Sequence, residues 1–591
     1  MKKSIFAGIL LAAAALIFAP AGVAHAKEIS ADGNILLTSE YVPNEWLLSY
    51  LNQCDKNKDG LLSPEEIAAV TKLSVERADD TDEYGDWLGD ELDLTILQNL
   101  EHVDLELDSR LAPTADSTVR IKVSGLAHLK SFYVEDVAKT GSAAVSGTDA
   151  RIETIDFRGT TELEDVDVWH AAGVIFDSGH QIKRIRLFDV AKIPVEQIFG
   201  AGKLENLDVW TGDPDFTQIN VAGSSALSEL WLKNDHLASV DLVGADALRT
   251  VEIDSGALES IDVSQNPAIT RLSLECPKIT EINVSANQKL ERLELKCPKL
   301  AKLNVAENTA LKRLNVESDR LKALNLTKNV KLERLGIKSE KIPGSNLKKN
   351  KKLYYLSVHC KDLASLDLSA NTKLHVLEID RTPLKSLKLS KQKLLTQLRL
   401  SNNKKLSKLD LSKNTQISTL YVQNMTLKSL DLSKQTRLSW LEVTGNKKLT
   451  KLDLTKHKGL YVVDVSDNAL KTLKLRPKAQ ISYLNCSKNK LTSLDLSGKR
   501  YLKTLNCSNN RLTSLDLPKG DMPDIPCLEV LNCSNNRLTS LDLSKSDCLE
   551  ILDCSKNKLK KLDLSKAERF QELTCDKKVK VKGCKGKITR V

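Results

Sequence analysis

Residues 481–517 read ISYLNCSKNKLTSLDLSGKRYLKTLNCSNNRLTSLDL. Ile481, Leu484, Cys486, Asn489, Leu491, Leu494 and Leu496 return 21 residues later as Leu502, Leu505, Cys507, Asn510, Leu512, Leu515 and Leu517. The same frame restarts at Leu528, Leu549 and Phe570, with an insertion at 518–527. Going backward it starts at Leu460, Leu438, Ile417, Leu395, Leu374, Leu353, Leu332, Leu311, Leu290, Ile269, Leu248, Leu227 and Leu204, which makes 18 in-phase starts. A degraded form begins at Leu100, Leu129, Ile152 and Ile182.

Each unit holds two copies of LxxLxL, each followed by a polar turn. Alternate side chains of an extended segment share a face, so the last two apolar residues of each copy point inward. Asn recurs in the second turn of the early units (Asn266, Asn287, Asn308, Asn329, Asn350, Asn371) and in the first turn of the later ones (Asn446, Asn468, Asn489, Asn510, Asn536, Asn557). An amide at a corner can satisfy backbone groups that the turn leaves unpaired, and stacking should turn these residues into ladders. One coil cannot bury its apolar face alone, but stacked neighbours can. An aromatic content of only 4% suits a core of aliphatic layers, and a half-unit this short leaves no room for a helix.

This pattern resembles the short, 21-residue class of bacterial leucine-rich repeats and, more loosely, the internalins. The resemblance runs from about residue 92 to the end of the sequence. It implies a mainly β, right-handed solenoid with strands on both sides of each coil, and a role in binding proteins or glycans at surfaces. No wall-sorting motif or evident anchoring module accompanies it.

A second motif lies ahead of the repeats: Asp55, Asn57, Asp59, Gly60, Leu61, Ser63 and Glu66 fit the 12-residue EF-hand loop. Oxygen donors stand at positions 1, 3 and 5, glycine at the sharp turn, a backbone carbonyl at Leu61, Ser63 at position 9 and a bidentate carboxylate at Glu66. Hard oxygen ligands select calcium over zinc or copper. Three carboxylates predict an affinity of roughly 10 µM to 1 mM. Trp46, Leu47, Tyr50 and Leu51 before the loop, and Ile67, Val70 and Leu73 after it, have helical spacing, so a small helix–loop–helix is expected. The alternative is a solvated acidic turn without metal. Residues 80–91 echo the loop faintly, with Tyr84 at a ligand position. An unpaired hand beside a solenoid suits a structural cap better than a signalling switch, and secreted bacterial repeat proteins with such a hand are similar to this chain.

The N-terminus reads as a secretory signal: Lys2 and Lys3, an apolar run from Ile5 to Phe18, and the small-x-small site Ala24-His25-Ala26. The expected organisation is a signal peptide at 1–26, an EF-hand cap at 27–91, degenerate repeats at 92–203 and regular repeats at 204–591. The product should be secreted or held at the outer surface of a bacterium without a transmembrane segment.

Charge is uneven. Residues 27–300 hold 25 Lys and Arg against 50 Asp and Glu, whereas residues 301–591 hold 60 against 28. Lys391, Lys413, Lys434, Lys456, Lys545 and Lys566 share one offset, so stacking should line them along an edge. Two readings stand: docking on a protein, anionic glycan or wall polymer, with steep salt dependence, or a soluble surface that protects strand edges. Nucleic acid is disfavoured, because aromatics do not interleave with the cations and the chain is exported.

Cys486, Cys507, Cys533, Cys554 and Cys575 fall at one inward position and read as packed thiols. Cys276 with Cys297, and Cys527 with Cys548, lie one repeat apart, within disulfide range if stacked. Trp169, Trp210 and Trp231 are either exposed anchors or buried coil closures. No catalytic grouping stands out: there is no GxSxG, P-loop or HExxH. The sequence therefore predicts a binding scaffold rather than an enzyme. The alternative is a structural wall component retained by its basic half.

Overall fold

The computed structural model describes residues 33–39, 42, 44–75, 91–107, 118–136, 152–198, 202–339, 347–518 and 528–591. The signal peptide, the faint second loop up to Asp90, and Cys527 lie outside the described residues. The fold is a mainly-β parallel solenoid of about 19 turns. It divides into two compact units: one runs to Thr217 and includes 223–227 and 231–236, and the other holds the remainder to Val591.

In the first unit, parallel strands Lys72–Val75, His102–Leu107, Ser131–Asp136, Asp165–Trp169, Arg184–Phe188 and Asn206–Trp210 pair in sequence order. A second sheet joins Glu91–Asp93, Arg120–Lys122, Ile155–Asp156 and Val174–Ile175 on the other side of the coils. Between them Phe132, Phe157 and Phe176 form a buried series, with centroids 5.1 and 5.5 Å apart. One turn of helix at Val195–Ile198 interrupts the coils, where none was expected.

The second unit is regular. Strands such as Arg292–Lys296, Arg313–Ser318, Arg334–Ser339 and Tyr355–Cys360 pair in exact repeat register, Leu293 on Leu314, Leu314 on Leu335, Leu335 on Leu356. Their burial alternates, so Leu and Val fill the core while charged and polar residues face outward. Paired strands on the opposite side form only in places, among them Glu281–Asn283 with Lys302–Asn304 and Lys451–Leu454 with Thr472–Leu475. The expectation of strands on both sides of every coil is thus corrected. The corner amides make the same carbonyl bonds in coils with such strands (Asn287, Asn308) and in coils without them (Asn350, Asn371).

Those amides behave as the repeat predicts. Asn308 donates its Nδ2 hydrogens to Val284 O (2.7 Å) and Asn287 O (2.9 Å), and Asn329 repeats this on Val305 O (2.8 Å) and Asn308 O (2.9 Å). The ladder spans Asn266 to Asn371, then Gln392, Asn414 and Gln435. The position passes next to His457, whose Nε2 meets Leu432 O at 3.0 Å, and later to Lys499, which is 1% exposed. Lys499 donates to Ser497 O (3.0 Å), and burial pulls its ammonium below the usual lysine range. The second ladder works from both ends: Asn489 Nδ2 donates to Val465 O (2.8 Å), and its Oδ1 accepts from Leu470 N (2.9 Å).

The LDLS turns add an exposed set of aspartates. Asp410, Asp431, Asp453, Asp495, Asp542 and Asp563 each accept from the backbone N–H two residues on, at 2.8–3.0 Å. These bonds, together with those from the Ser or Thr hydroxyl of the same residue, hold the carboxyls below their ordinary range, the hydroxyl foremost at Asp453, Asp495 and Asp563, the last at about 2. A depressed folded value gives stability that is present above the unfolded value of about 3.9 and lost as pH falls through the folded values. The melting temperature should therefore be insensitive to these turns above about pH 5 and decline between about pH 4 and 2. Asp542→Asn with Asp563→Asn, which retain an acceptor, should flatten part of that decline in a calorimetric pH series.

Candidate binding surfaces

The loop at 55–66 follows α1 (Glu45–Cys54) and runs into α2 (Pro64–Ala68). Asn44 caps α1, accepting Leu47 N–H at 2.8 Å. Ser63 and Glu66 form a capping box at α2. Lys58 and Gly60 take left-handed backbone angles, φ 57° and 79°, which turn the chain back on itself. Asp55 accepts from Lys58 N (2.7 Å) and Gly60 N (2.9 Å), Asn57 from Asp59 N (2.9 Å), and Asp59 from Leu61 N (2.9 Å). Leu61–Leu62 pairs antiparallel with Ile35–Leu36, and Leu62 is buried.

The second helix is shorter than its sequence spacing suggested. It ends at Ala68, and Leu73 lies instead in the strand Lys72–Val75, fully buried and paired with Val103. Tertiary pairing with the first coil overrides the local helical pattern. Tyr50 donates to Lys72 O (2.7 Å) and Asn44 to Glu91 O (3.0 Å), which ties α1 to the first coil.

The predicted donors are Asp55, Asn57, Asp59, Leu61, Ser63 and Glu66. As a chemical set, these oxygens fit a hard cation. Their arrangement is tied to the loop's own amides: Glu66 Oε1 accepts from Lys56 N (2.9 Å), and Oε2 from Ser63 N (3.0 Å) and Ser63 Oγ (2.8 Å). These bonds, Ser63 foremost, hold the Glu66 carboxyl below its usual range. Among the described residues, no three His, Cys, Asp or Glu side chains are drawn together around a metal position.

The cysteine series is a packed column. Cys486, Cys507, Cys533, Cys554 and Cys575 are buried free thiols, and desolvation pushes Cys486 and Cys554 up to about 12. Cys276 and Cys297 are also free, so that candidate bridge is not formed. Their thiols donate along the stack instead, to Ile253 O (3.7 Å) and Leu274 O (3.8 Å). Cys548 is disulfide-bonded.

In the first unit, strand register aligns Trp169, Phe188 and Trp210 on the outward face. Trp169 stacks on Phe188 at 4.1 Å, Phe188 meets Trp210 edge-on at 5.3 Å, and Lys233 Nζ lies 5.5 Å from the Trp210 ring. Trp169 and Trp210 therefore do not close coils: Trp169 is half-buried against Phe188, whereas Trp210 is exposed. Trp231 is half-buried, and its indole N–H is buried without a partner among the described residues.

In the second unit, two features stand out. The lysines singled out by offset precede ladder residues: Lys391 before Gln392, Lys413 before Asn414, Lys434 before Gln435, Lys456 before His457. Lys478 continues the column. All five are exposed and make no ion pair among the described residues. One strand spacing, about 4.8 Å, separates successive members.

The other feature was not expected from the sequence. The outward strand face carries a cleft of about 460 Å³ running from Asn315 and Glu317 to Asn402 and Gln423. Its floor is low because Gly336 and Ser357 follow Asn315 in one column, before Glu378 and Arg399. A Cβ on Gly336 would lie 2.3 Å from Asn315 Oδ1. The legible signal was a glycine in phase with long polar side chains.

Residues 502–545 match the family described as leucine-rich repeats (2 copies). No curated protein matches the chain by sequence. Among solved structures the chain is similar to a leucine-rich-repeat protein of Leptospira interrogans, at 19% identity over 58% of this chain and 97% of that one, with TM-score 0.51. It also resembles YopM from Yersinia enterocolitica (19% identity, 77% and 91% covered, TM-score 0.47). A third match is the functional domain of InlJ from Listeria monocytogenes, which includes a cysteine ladder (22% identity, 61% and 70% covered, TM-score 0.43). Among the described residues no helix is long and apolar enough to cross a membrane. Repeat, strand register and structural likeness agree: this chain folds as a leucine-rich-repeat solenoid.

Proposed function

We propose that this chain is a secreted or cell-surface, calcium-binding scaffold that grips a macromolecular partner, foremost an anionic glycan or wall polymer, through its solenoid surface. Leucine-rich-repeat solenoids commonly serve as protein-binding scaffolds, so an acidic protein is the competing partner class. One observation carries the reading: the column Lys391, Lys413, Lys434, Lys456 and Lys478 is exposed and free of ion pairs among the described residues. Its neighbours Asp410, Asp431 and Asp453 bind the Ser412, Ser433 and Thr455 amides. Like charges held this close repel one another, and a linear polyanion relieves that repulsion. The calcium loop, with Asp55, Asn57, Asp59, Leu61, Ser63 and Glu66 as donors, acts here as a cap on the first coil.

The test is equilibrium binding of polygalacturonate and of a teichoic acid across ~50 to ~500 mM NaCl. Affinity should fall with salt, and replacing the five lysines by serine should weaken low-salt binding by about tenfold or more. Preference for one polymer that survives moderate salt supports a receptor role. Indiscriminate adhesion that vanishes with salt supports the wall-component reading. No loss in the serine variant overturns the proposal.

A further inference from the structure

We infer that the strand-face cleft between Asn315 and Gln423 is a subsite for a single carboxylate-bearing sugar residue, with Arg399 taking the carboxylate. This inference rests on the glycan reading above and deepens it.

The cleft is built from polar groups that hold one another in place. Tyr355 Oη donates to Glu378 Oε2 (3.0 Å), Asn402 Nδ2 donates to Asp380 Oδ1 (2.8 Å), and His359 Nδ1 lies 3.0 Å from Asp380 Oδ2. Lys338 Nζ pairs with Glu317 at 2.8 Å. Each of these charges has a partner on the strand face. Arg399 differs: its guanidinium stacks over Tyr421 at 4.2 Å, is exposed, and has no hydrogen bond or ion pair among the described residues. A planar fork held over an aromatic ring, with its donors unused, matches a carboxylate.

The rest of the lining narrows the ligand class. Ile337, Val358 and Ile379 line the cleft but are buried, so they offer an apolar partner little area. An apolar peptide side chain would gain nothing there. Hydroxyl groups would: Glu378, Asp380, Ser357 and Asn315 offer acceptors and donors on half-buried side chains. A hydroxyl-rich ring with one carboxylate uses both halves of the site. The volume of about 460 Å³ suits one or two sugar rings.

The experiment titrates the full chain with trigalacturonate and with the neutral trigalactose by calorimetry. It compares wild type, Arg399→Gln, Gly336→Leu and the five-lysine serine variant. Trigalacturonate is expected to bind wild type in preference to trigalactose, to lose about tenfold or more in Arg399→Gln, and to be blocked by Gly336→Leu, which fills the floor. The lysine variant should retain trigalacturonate binding, which separates this site from the basic column. Unchanged affinity in Arg399→Gln, or equal binding of the neutral sugar, overturns the subsite. Loss of polymer binding in the lysine variant alone, with no trimer binding anywhere, leaves the column as the whole of recognition and overturns it as well. Arg399 is exposed, so its variant should fold; matching circular dichroism for Gly336→Leu guards the second arm.

Discussion

Replacing Asn308 with Ala should lower stability by about 2–4 kcal/mol, seen as a reduced urea midpoint. The substitution orphans two buried carbonyls, Val284 O and Asn287 O, which lose the donors that reach them at 2.7 and 2.9 Å. Each unsatisfied group costs about 1–3 kcal/mol. The Asn308 Oδ1 has no partner among the described residues, so removing the amide also relieves one buried acceptor, which limits the loss. An exposed control such as Lys302→Ala should stay within about 0.5 kcal/mol. Because coils touch only their neighbours, the effect should be local. Amide exchange should accelerate around residues 284–311 and not around Cys533. A shift as small as the control's would mean that the corner amides decorate the turns and do not hold them.

Calcium binding should weaken by about tenfold or more in Glu66→Gln, since a neutral amide cannot give the bidentate carboxylate that an EF-hand loop uses at its last position. Calorimetry on wild type should show one site in the range of roughly 10 µM to 1 mM. Binding requires Glu66 to exchange its bonds to Lys56 N and Ser63 for the ion, so calcium should also raise the melting temperature of the first coil, to which α1 is tied through Tyr50 and Asn44. Equal heats in wild type and variant would leave a self-satisfied acidic turn, the alternative reading of the same residues.

The repeat was legible because its signal is redundant. Eighteen copies of one leucine frame fix which residues face inward, and the amide ladders follow from the same stacking. What the frame left open depends on facts that periodicity does not encode. Opposite-side strands form at Glu281–Asn283 but not in most coils, although the corner amides make the same bonds in both, Asn287 and Asn308 beside the strands and Asn350 and Asn371 away from them. Leu73 kept helical phase with Ile67 and Val70, yet pairing with Val103 claimed it for a strand. Cys276 and Cys297 have suitable spacing, but their thiols run along the stack toward carbonyls one coil back. Spacing fixes backbone separation and leaves side-chain direction free.

The binding surfaces show the same split. The lysine column was readable, since a constant offset before each ladder residue becomes a line once coils stack. The Trp169 and Trp210 question was not, because mutual stacking through Phe188 depends on rotamers. The cleft at Gly336 is not legible from periodicity, because the absence of a side chain matters only when its neighbours in adjacent strands are known.

A partner lying along the stacked basic column shields its lysines, and lysine acetylation footprinting with and without polygalacturonate reads that shielding residue by residue. Modification should slow at Lys391, Lys413, Lys434, Lys456 and Lys478, while Lys289 and Lys299, also exposed, should be unchanged. Uniform protection of all lysines, or protection confined to positions outside that column, would contradict that placement of the partner.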